Sequence, residues 1–124
     1  MKLKSVGILL LASLPAVAHH SFAAEYDTKA PVALSGVVTK IEWTNPHIYY
    51  YIDVKDESGN VANWAFEGYP PNTLRRVGFS RDLLKPGDAV SVTGWAARDG
   101  SKRAASRELT LSNGRKIFSG PPAN

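Results

Sequence analysis

The chain has three histidines, and their positions are the first sign of chemistry in the sequence. His19 and His20 follow a run of small residues, and His47 ends the motif N-P-H. If a signal peptidase cuts after Ala18, His19 becomes the first residue and its α-amino group is free. That amine and Nδ1 of the same imidazole can chelate one metal ion, and His20 or His47 can add a third nitrogen. Three nitrogens in a T shape suit copper, so the sequence predicts a copper or other transition-metal site at these histidines.

Other interpretations of these residues stay open. His20 can be an exposed polar residue, and His47 can orient the turn before it through a hydrogen bond. Cleavage after Ala23 would discard both His19 and His20, because Ser21 and Ala23 also form a pair of small residues suited to a signal peptidase. Glu67 can orient His47 or complete a metal shell, but a surface carboxylate or a cap is the simpler role for it.

The sequence offers little support for catalysis. The chain has no cysteine, so any metal site must be built from nitrogen and oxygen ligands. It has no G-x-S-x-G motif, no carboxylate pair spaced for acid and base catalysis, and no glycine-rich loop that precedes a helix. We therefore predict no catalytic residues, and a binding or delivery protein rather than an enzyme.

The first eighteen residues have the three parts of a secretory signal. A basic start at 1–4 precedes an apolar stretch from Val6 to Leu14 and a small-residue exit at 15–18. The apolar stretch is shorter than the roughly 20 residues that span a bilayer. We expect cleavage after Ala18, a mature protein in the periplasm and no transmembrane segment in the mature chain.

A second kind of binding surface is suggested by charge and aromatic residues. The net charge is only +4, but ten Lys and Arg against four acidic residues lie between positions 75 and 116. Tyr49, Tyr51, Arg75 and Arg76 are the candidates for a face that binds an anionic polymer or a periplasmic protein partner. A solvated basic surface explains the same residues, and export makes nucleic acid an unexpected ligand.

The mature chain reads as short strands separated by turns. Residues 19–31 predict an irregular lead-in, and residues 121–124 a short tail. Between them, 32–120 form a single domain. The three strands predicted first are Val32–Trp43 with a bulge or bend at Gly36, His47–Lys55 and Val61–Glu67. In the second strand Ile48, Tyr50, Ile52 and Val54 share the face expected to be buried.

A short helix and the remaining strands follow. Asn72 predicts a helix N-cap, and Gly78 the left-handed residue after the helix end. Strands are expected at 88–97, 107–111 and 116–118, and Asn113-Gly114 favours a type I′ hairpin. Three strands, a helix and further strands give the element order of an OB-fold, a small antiparallel barrel. A small β-sandwich is the alternative.

Several blocks together resemble a family of small exported bacterial proteins of unknown function. They are H-H-S-F at 19–22, E-Y-D at 25–27, E-W-T-N-P-H at 42–47, the region from Trp64 to Pro70, and L-K-P-G-D-A-V-S-V-T-G at 84–94. The resemblance covers nearly all of the mature chain. It implies a periplasmic, single-domain, barrel-like protein and supplies no activity. It also implies that His19, His20, Asn45, Pro46 and His47 belong to the family's own motifs.

Overall fold

Residues 22–122 are described by a computed structural model. A helical turn at 22–25 precedes six strands and a short helix. The bounds are β1 Tyr26–Glu42, β2 Tyr49–Lys55, β3 Val61–Glu67, α1 Pro71–Arg76, β4 Ala89–Ala97, β5 Arg103–Leu111 and β6 Lys116–Phe118. Within this part of the chain, no helix is long and apolar enough to cross a membrane.

The strands form one sheet that closes on itself. Its order is β3-β2-β1-β4-β5-β6, with each neighbouring pair antiparallel. A parallel pairing of β3 with β5 joins the two sides of the sheet. A sheet closed in this way is a barrel, and its strand order with a helix between β3 and β4 confirms the predicted OB-like fold.

The long strand β1 serves both sides of the barrel. Its first part pairs with β4 and its second part with β2. Gly36 lies where the strand passes close to β2, since a Cβ built there would stand 2.1 Å from the carbonyl oxygen of Asp53. The irregularity in the pairing with β2 lies slightly later, between Val38 and Lys40. Gly36 therefore permits a close backbone approach.

The barrel interior is filled as the strand pattern predicts. Ile48, Tyr50 and Ile52 are buried on one face of β2, and Phe66 of β3 joins them. Helix α1 adds Leu74 to this core. A smaller cluster lies apart from it, built from Tyr26, Ala97 and Ala105, with Phe22 and Trp95 packed against them. Phe22, the first described residue, packs against this second cluster.

Three local predictions are wrong. Residues 26–31, expected to be irregular, belong to β1, because Tyr26 and Pro31 pair with Ala97 and Trp95 of β4 on the two sides of an irregularity in the register. Asn72 lies inside α1, whose N-cap is Pro70 and has no side-chain cap. The Asn113-Gly114 hairpin is not type I′, because only Gly114 has a positive φ. The N–H of Gly114 donates to the Leu111 carbonyl, as in a type I turn followed by a left-handed glycine.

Two other expectations about local structure hold. Gly78 has a φ of 82° directly after the end of α1, which is the left-handed conformation expected of a helix-ending glycine. Strand β6 has the predicted bounds, and β5 begins four residues earlier than predicted, at Arg103. The early start of β5 matters for the site, since it creates the pairing with β3.

Candidate functional site

His47 lies in the connection between β1 and β2, with its imidazole held in one tautomer. The peptide bond Asn45–Pro46 is cis, and the hydroxyl of Thr44 donates to the carbonyl of His47 at 3.1 Å. Nδ1 of His47 lies 3.0 Å from the carbonyl oxygen of Gly68. A carbonyl only accepts hydrogen bonds, so Nδ1 carries the proton and Nε2 keeps a free lone pair. The side chain is 42% exposed, and a neutral imidazole nitrogen with a free lone pair is a type of ligand that metal ions bind.

Glu67 is the carboxylate beside this histidine. Its Oε1 lies 3.8 Å from Nδ1 of His47, and its side chain is 16% exposed. Its other oxygen, Oε2, accepts a hydrogen bond from the hydroxyl of Tyr26. Tyr49 stands opposite Glu67 in the β2–β3 pairing. One carboxylate is thus surrounded by an imidazole and two phenols.

The two tyrosines show the effect of this environment. Burial, together with the nearby carboxylate of Glu67, raises the pKa of Tyr49 to about 12. Burial and the hydrogen bond to Glu67 also raise the pKa of Tyr26 well above its ordinary value. Both phenols therefore stay protonated at neutral pH and can donate hydrogen bonds to the carboxylate.

The start of the described chain is fastened to the same region. The ring of Phe22 lies 5.4 Å from that of Tyr26. Nε of Arg98 donates to the carbonyl of Ala23 at 2.7 Å, and the backbone N–H of Arg98 donates to the carbonyl of Glu25 at 2.8 Å. Arg103 stands over the ring of Tyr26 at 5.5 Å. The segment 22–26 is therefore docked on the barrel next to Tyr26, whose hydroxyl contacts Glu67.

Of the predicted metal-site residues, the structure brings His47 and Glu67 together. His19 and His20 lie outside the described residues. Between positions 22 and 122, no group of three His, Cys, Asp or Glu side chains is close enough to hold a metal ion. A site of three such side chains that includes His47 would therefore draw at least one of them from outside positions 22–122.

The four residues of the predicted anion-binding face lie on two different elements. Tyr49 and Tyr51 lie on β2, whereas Arg75 and Arg76 are exposed on α1. Within 22–122, no hydrogen bond or ion pair joins a tyrosine of this set to an arginine of it. The structure therefore does not gather the four residues into one contact network.

The surroundings of Tyr51 are mixed in charge. Lys40 stands over its ring at 5.4 Å and pairs with Glu42 at 2.6 Å. Burial and the Glu42 carboxylate raise the pKa of Tyr51. With Glu67 beside Tyr49, each tyrosine has an acidic neighbour, which is unfavourable for a polyanion.

Sequence reasoning missed Tyr26 and Arg98. Tyr26 falls in the segment expected to be irregular, and Arg98 in a loop counted only as part of the basic half. Tyr26 and Arg98 are far apart along the chain, and the pairing of Tyr26 with Ala97 brings them close together. A signal does exist in the sequence: Glu25 and Asp27 flank Tyr26, and Arg98 and Arg103 flank the opposing loop.

Comparisons with known proteins support the fold and the family. The chain is similar to the crystal structure of Rim1, a mitochondrial single-stranded DNA binding protein from S. cerevisiae, with a TM-score of 0.53 and 12% identity. The match covers 67% of this chain and 93% of that one, and at this identity it shows a shared fold alone. No curated protein matches the chain. A family of unknown function, DUF6152, matches residues 8–106. The chain therefore belongs to the family DUF6152.

Proposed function

We propose that this protein is an exported periplasmic binding protein that holds copper, or another transition metal, through its mature N-terminus and His47. The observation that carries the proposal is the hydrogen bond of Nδ1 of His47 with the carbonyl of Gly68. This hydrogen bond engages Nδ1 and leaves Nε2 as the nitrogen that can bind a metal, as in histidines that bind metals. His19 supplies the amine and a second imidazole, and His20 is the alternative source of a ring nitrogen.

The docking of the chain start supports this partnership. Phe22 packs on the cluster that contains Tyr26, and Tyr26 contacts the carboxylate beside His47. His19 is three residues before Phe22, and three residues reach at most about 10 Å. The amine of a mature chain that begins at His19 therefore stays within about 10 Å of Phe22, on the side of the barrel where Tyr26 contacts Glu67.

The same contacts favour cleavage after Ala18. Cleavage after Ala23 would remove Phe22 and the carbonyl that accepts from Arg98. The chain would then lose an aromatic contact and a hydrogen bond that belong to the folded domain. Cleavage after Ala18 keeps both and leaves His19 at the terminus.

Glu67 suits the neighbourhood of a bound cation. Its carboxylate oxygen Oε1 lies 3.8 Å from Nδ1 of His47, the nitrogen that donates to the Gly68 carbonyl. A negative charge there makes the imidazole a better donor to a metal ion.

The test begins with the exported protein itself. N-terminal sequencing or intact mass gives the first residue, and a start at Ala24 would eliminate the terminal chelate. If the protein starts at His19, copper titration of the wild type, His47→Ala and His20→Ala identifies the ligands. We expect a loss of affinity for His47→Ala. Equal affinity of this variant and the wild type removes His47 from the site.

The second candidate function is a module that binds an anionic polymer or a periplasmic protein without a metal. It is favoured by Arg75 and Arg76, which are exposed and form no ion pair within the described range. This function predicts binding that weakens with salt, resists chelators and is reduced by Arg75→Ala and Tyr49→Ala. The acidic neighbours of the tyrosines make it the weaker candidate.

A further inference from the structure

We propose that Arg98 is a positioning residue that holds the start of the mature chain against the barrel, so that the N-terminal metal ligands stay close to His47. This inference rests on the proposed function and names the device that assembles the site. Arg98 is not a metal ligand and does not touch His47 in the part of the chain that is described. It acts through the segment 22–27.

The sheet places Arg98 opposite this segment. Ala97 ends β4 and pairs with Tyr26 at the start of β1. The next residues on the two strands are Arg98 and Glu25, and the N–H of Arg98 donates to the carbonyl of Glu25 at 2.8 Å. The backbone pairing thus continues one residue beyond β4, and it fixes the direction of the arginine side chain.

The side chain of Arg98 then makes contacts on both sides of Glu25. Its Nε donates to the carbonyl of Ala23 at 2.7 Å, and its Nη1 lies 3.9 Å from a carboxylate oxygen of Asp27. A guanidinium has several N–H donors in a fixed plane, so it can bind two acceptors at once, which an ammonium does less well. One residue therefore holds three positions of the segment.

Few contacts other than those of Arg98 hold residues 23–25 in place. Ala23, Ala24 and Glu25 are exposed, so burial contributes little to their position. Phe22 packs on Tyr26, Arg103 pairs with Glu25 at 3.8 Å, and Tyr26 itself is buried and donates to Glu67. Replacement of Arg98 removes these contacts and is expected to loosen the segment. The barrel is expected to stay folded, because Arg98 lies outside the main core.

Holding the segment raises the effective concentration of the terminal chelate near His47. A ligand tethered by a floating segment spends most of its time away from its partner, and the affinity of the joint site falls accordingly. For Arg98→Ala we expect copper affinity to fall by about tenfold or more. Arg98→Lys keeps the charge without the planar donors, and an intermediate loss is expected for it.

The experiment measures docking and copper binding separately on the exported protein. Docking is read in the metal-free protein from hydrogen exchange of the backbone amide at position 98, which donates to Glu25. Copper affinity is read by titration. The matched control is Arg81→Ala, which removes an exposed arginine of the same charge from another part of the surface.

The proposal expects Arg98→Ala to exchange the amide at position 98 about tenfold faster and to bind copper more weakly, with Arg81→Ala unchanged in both. Unchanged exchange, or faster exchange with unchanged copper affinity, overturns it. A wild-type protein that starts at His19 and binds no copper overturns the proposed function and, with it, the positioning role. That failure is seen without any Arg98 variant, so the two outcomes are distinguishable.

Discussion

The hydroxyl of Tyr26 donates a hydrogen bond to Oε2 of Glu67, which joins the first residue of β1 to the last residue of β3. The contact links the docked start of the chain to the carboxylate beside His47. It also satisfies the hydroxyl of a side chain that is only 2% exposed. Because a buried donor without an acceptor is costly, this bond contributes to stability independently of any metal.

We therefore expect Glu67→Ala to lower the free energy of unfolding by about 1–3 kcal/mol. The change leaves the hydroxyl of Tyr26 without its acceptor. Urea unfolding at neutral pH measures the loss. The control is Glu42→Ala, which removes a carboxylate that is 35% exposed and pairs with an exposed lysine. A smaller loss is expected for it, and equal losses in the two variants would contradict the role assigned to Glu67.

Stability is expected to fall as the pH rises above about 10. The pKa of Tyr49 is raised from 10.0 to about 12, and burial also raises the pKa of Tyr26 and of Tyr50. Between the unfolded and the folded pKa, the folded state holds more protons, so increasing pH favours unfolding. The contribution is fully present below pH 10 and is lost above it.

Urea unfolding at several values between about pH 8 and about pH 11 tests this expectation. The tyrosinate absorbance of the folded protein should appear at a higher pH than that of the unfolded chain. Tyr50→Phe removes one of the shifted groups, so its stability should fall less steeply with pH. A slope that is the same in the variant and the wild type at high pH would show that Tyr50 ionises without unfolding.

A chain of buried hydroxyls gives a prediction about the barrel interior. Tyr50 hydrogen-bonds with Ser106, and Ser106 with Ser119, and all three side chains are fully buried. Tyr50→Phe is expected to lower the free energy of unfolding by about 1 kcal/mol, measured by urea unfolding. Because the groups form one network, adding Ser106→Ala should cost less than the sum of the single changes. Simple additivity would mean that the hydroxyls act independently.

Two glycines allow backbone to approach backbone around β5. A Cβ at Gly94 would stand 2.0 Å from the carbonyl oxygen of Ala105, and one at Gly120 would stand 1.7 Å from that of Ser106. Gly94→Ala and Gly120→Ala must therefore move backbone, and a loss of about 2 kcal/mol or more is expected for each. Thermal unfolding measures it, with Thr93→Ala on the exposed face of β4 as the control. Stability equal to that of the control would show that β5 can shift at little cost.

The parts of the fold that the sequence predicts well are those set by local patterns. Strand β2 alternates apolar and polar residues, and Ile48, Tyr50 and Ile52 are buried as the pattern predicts. Gly78 takes the left-handed conformation after α1. These features depend on neighbours within a few residues, which a single sequence shows directly.

The parts that escape prediction depend on distant strands. Residues 26–31 lack a clean alternation, and they join β1 because Tyr26 and Pro31 pair with β4 at the two ends of an irregular stretch. The contact of Tyr26 with Glu67 and the contact of Arg98 with Ala23 need the same pairing. The nearness of Glu67 to His47 is easier to foresee, since Tyr49 stands opposite Glu67 in the hairpin of β2 and β3.

The parallel pairing of β3 with β5 has a consequence for the order in which the protein assembles. It joins Ala65, Phe66 and Glu67 to residues 103–105, so it encloses a long loop and carries the entropy cost of a distant contact. Such a pairing becomes favourable only after the local hairpins have formed, because they shorten the loop that must close. Glu67 lies in this seam. The hairpin of β2 and β3 already brings its carboxylate close to His47, and the docked chain start joins them through Tyr26 when the barrel closes. A metal ion held jointly by His47 and the chain start would bind the closed barrel alone, and its stabilising effect would rise with the logarithm of its concentration.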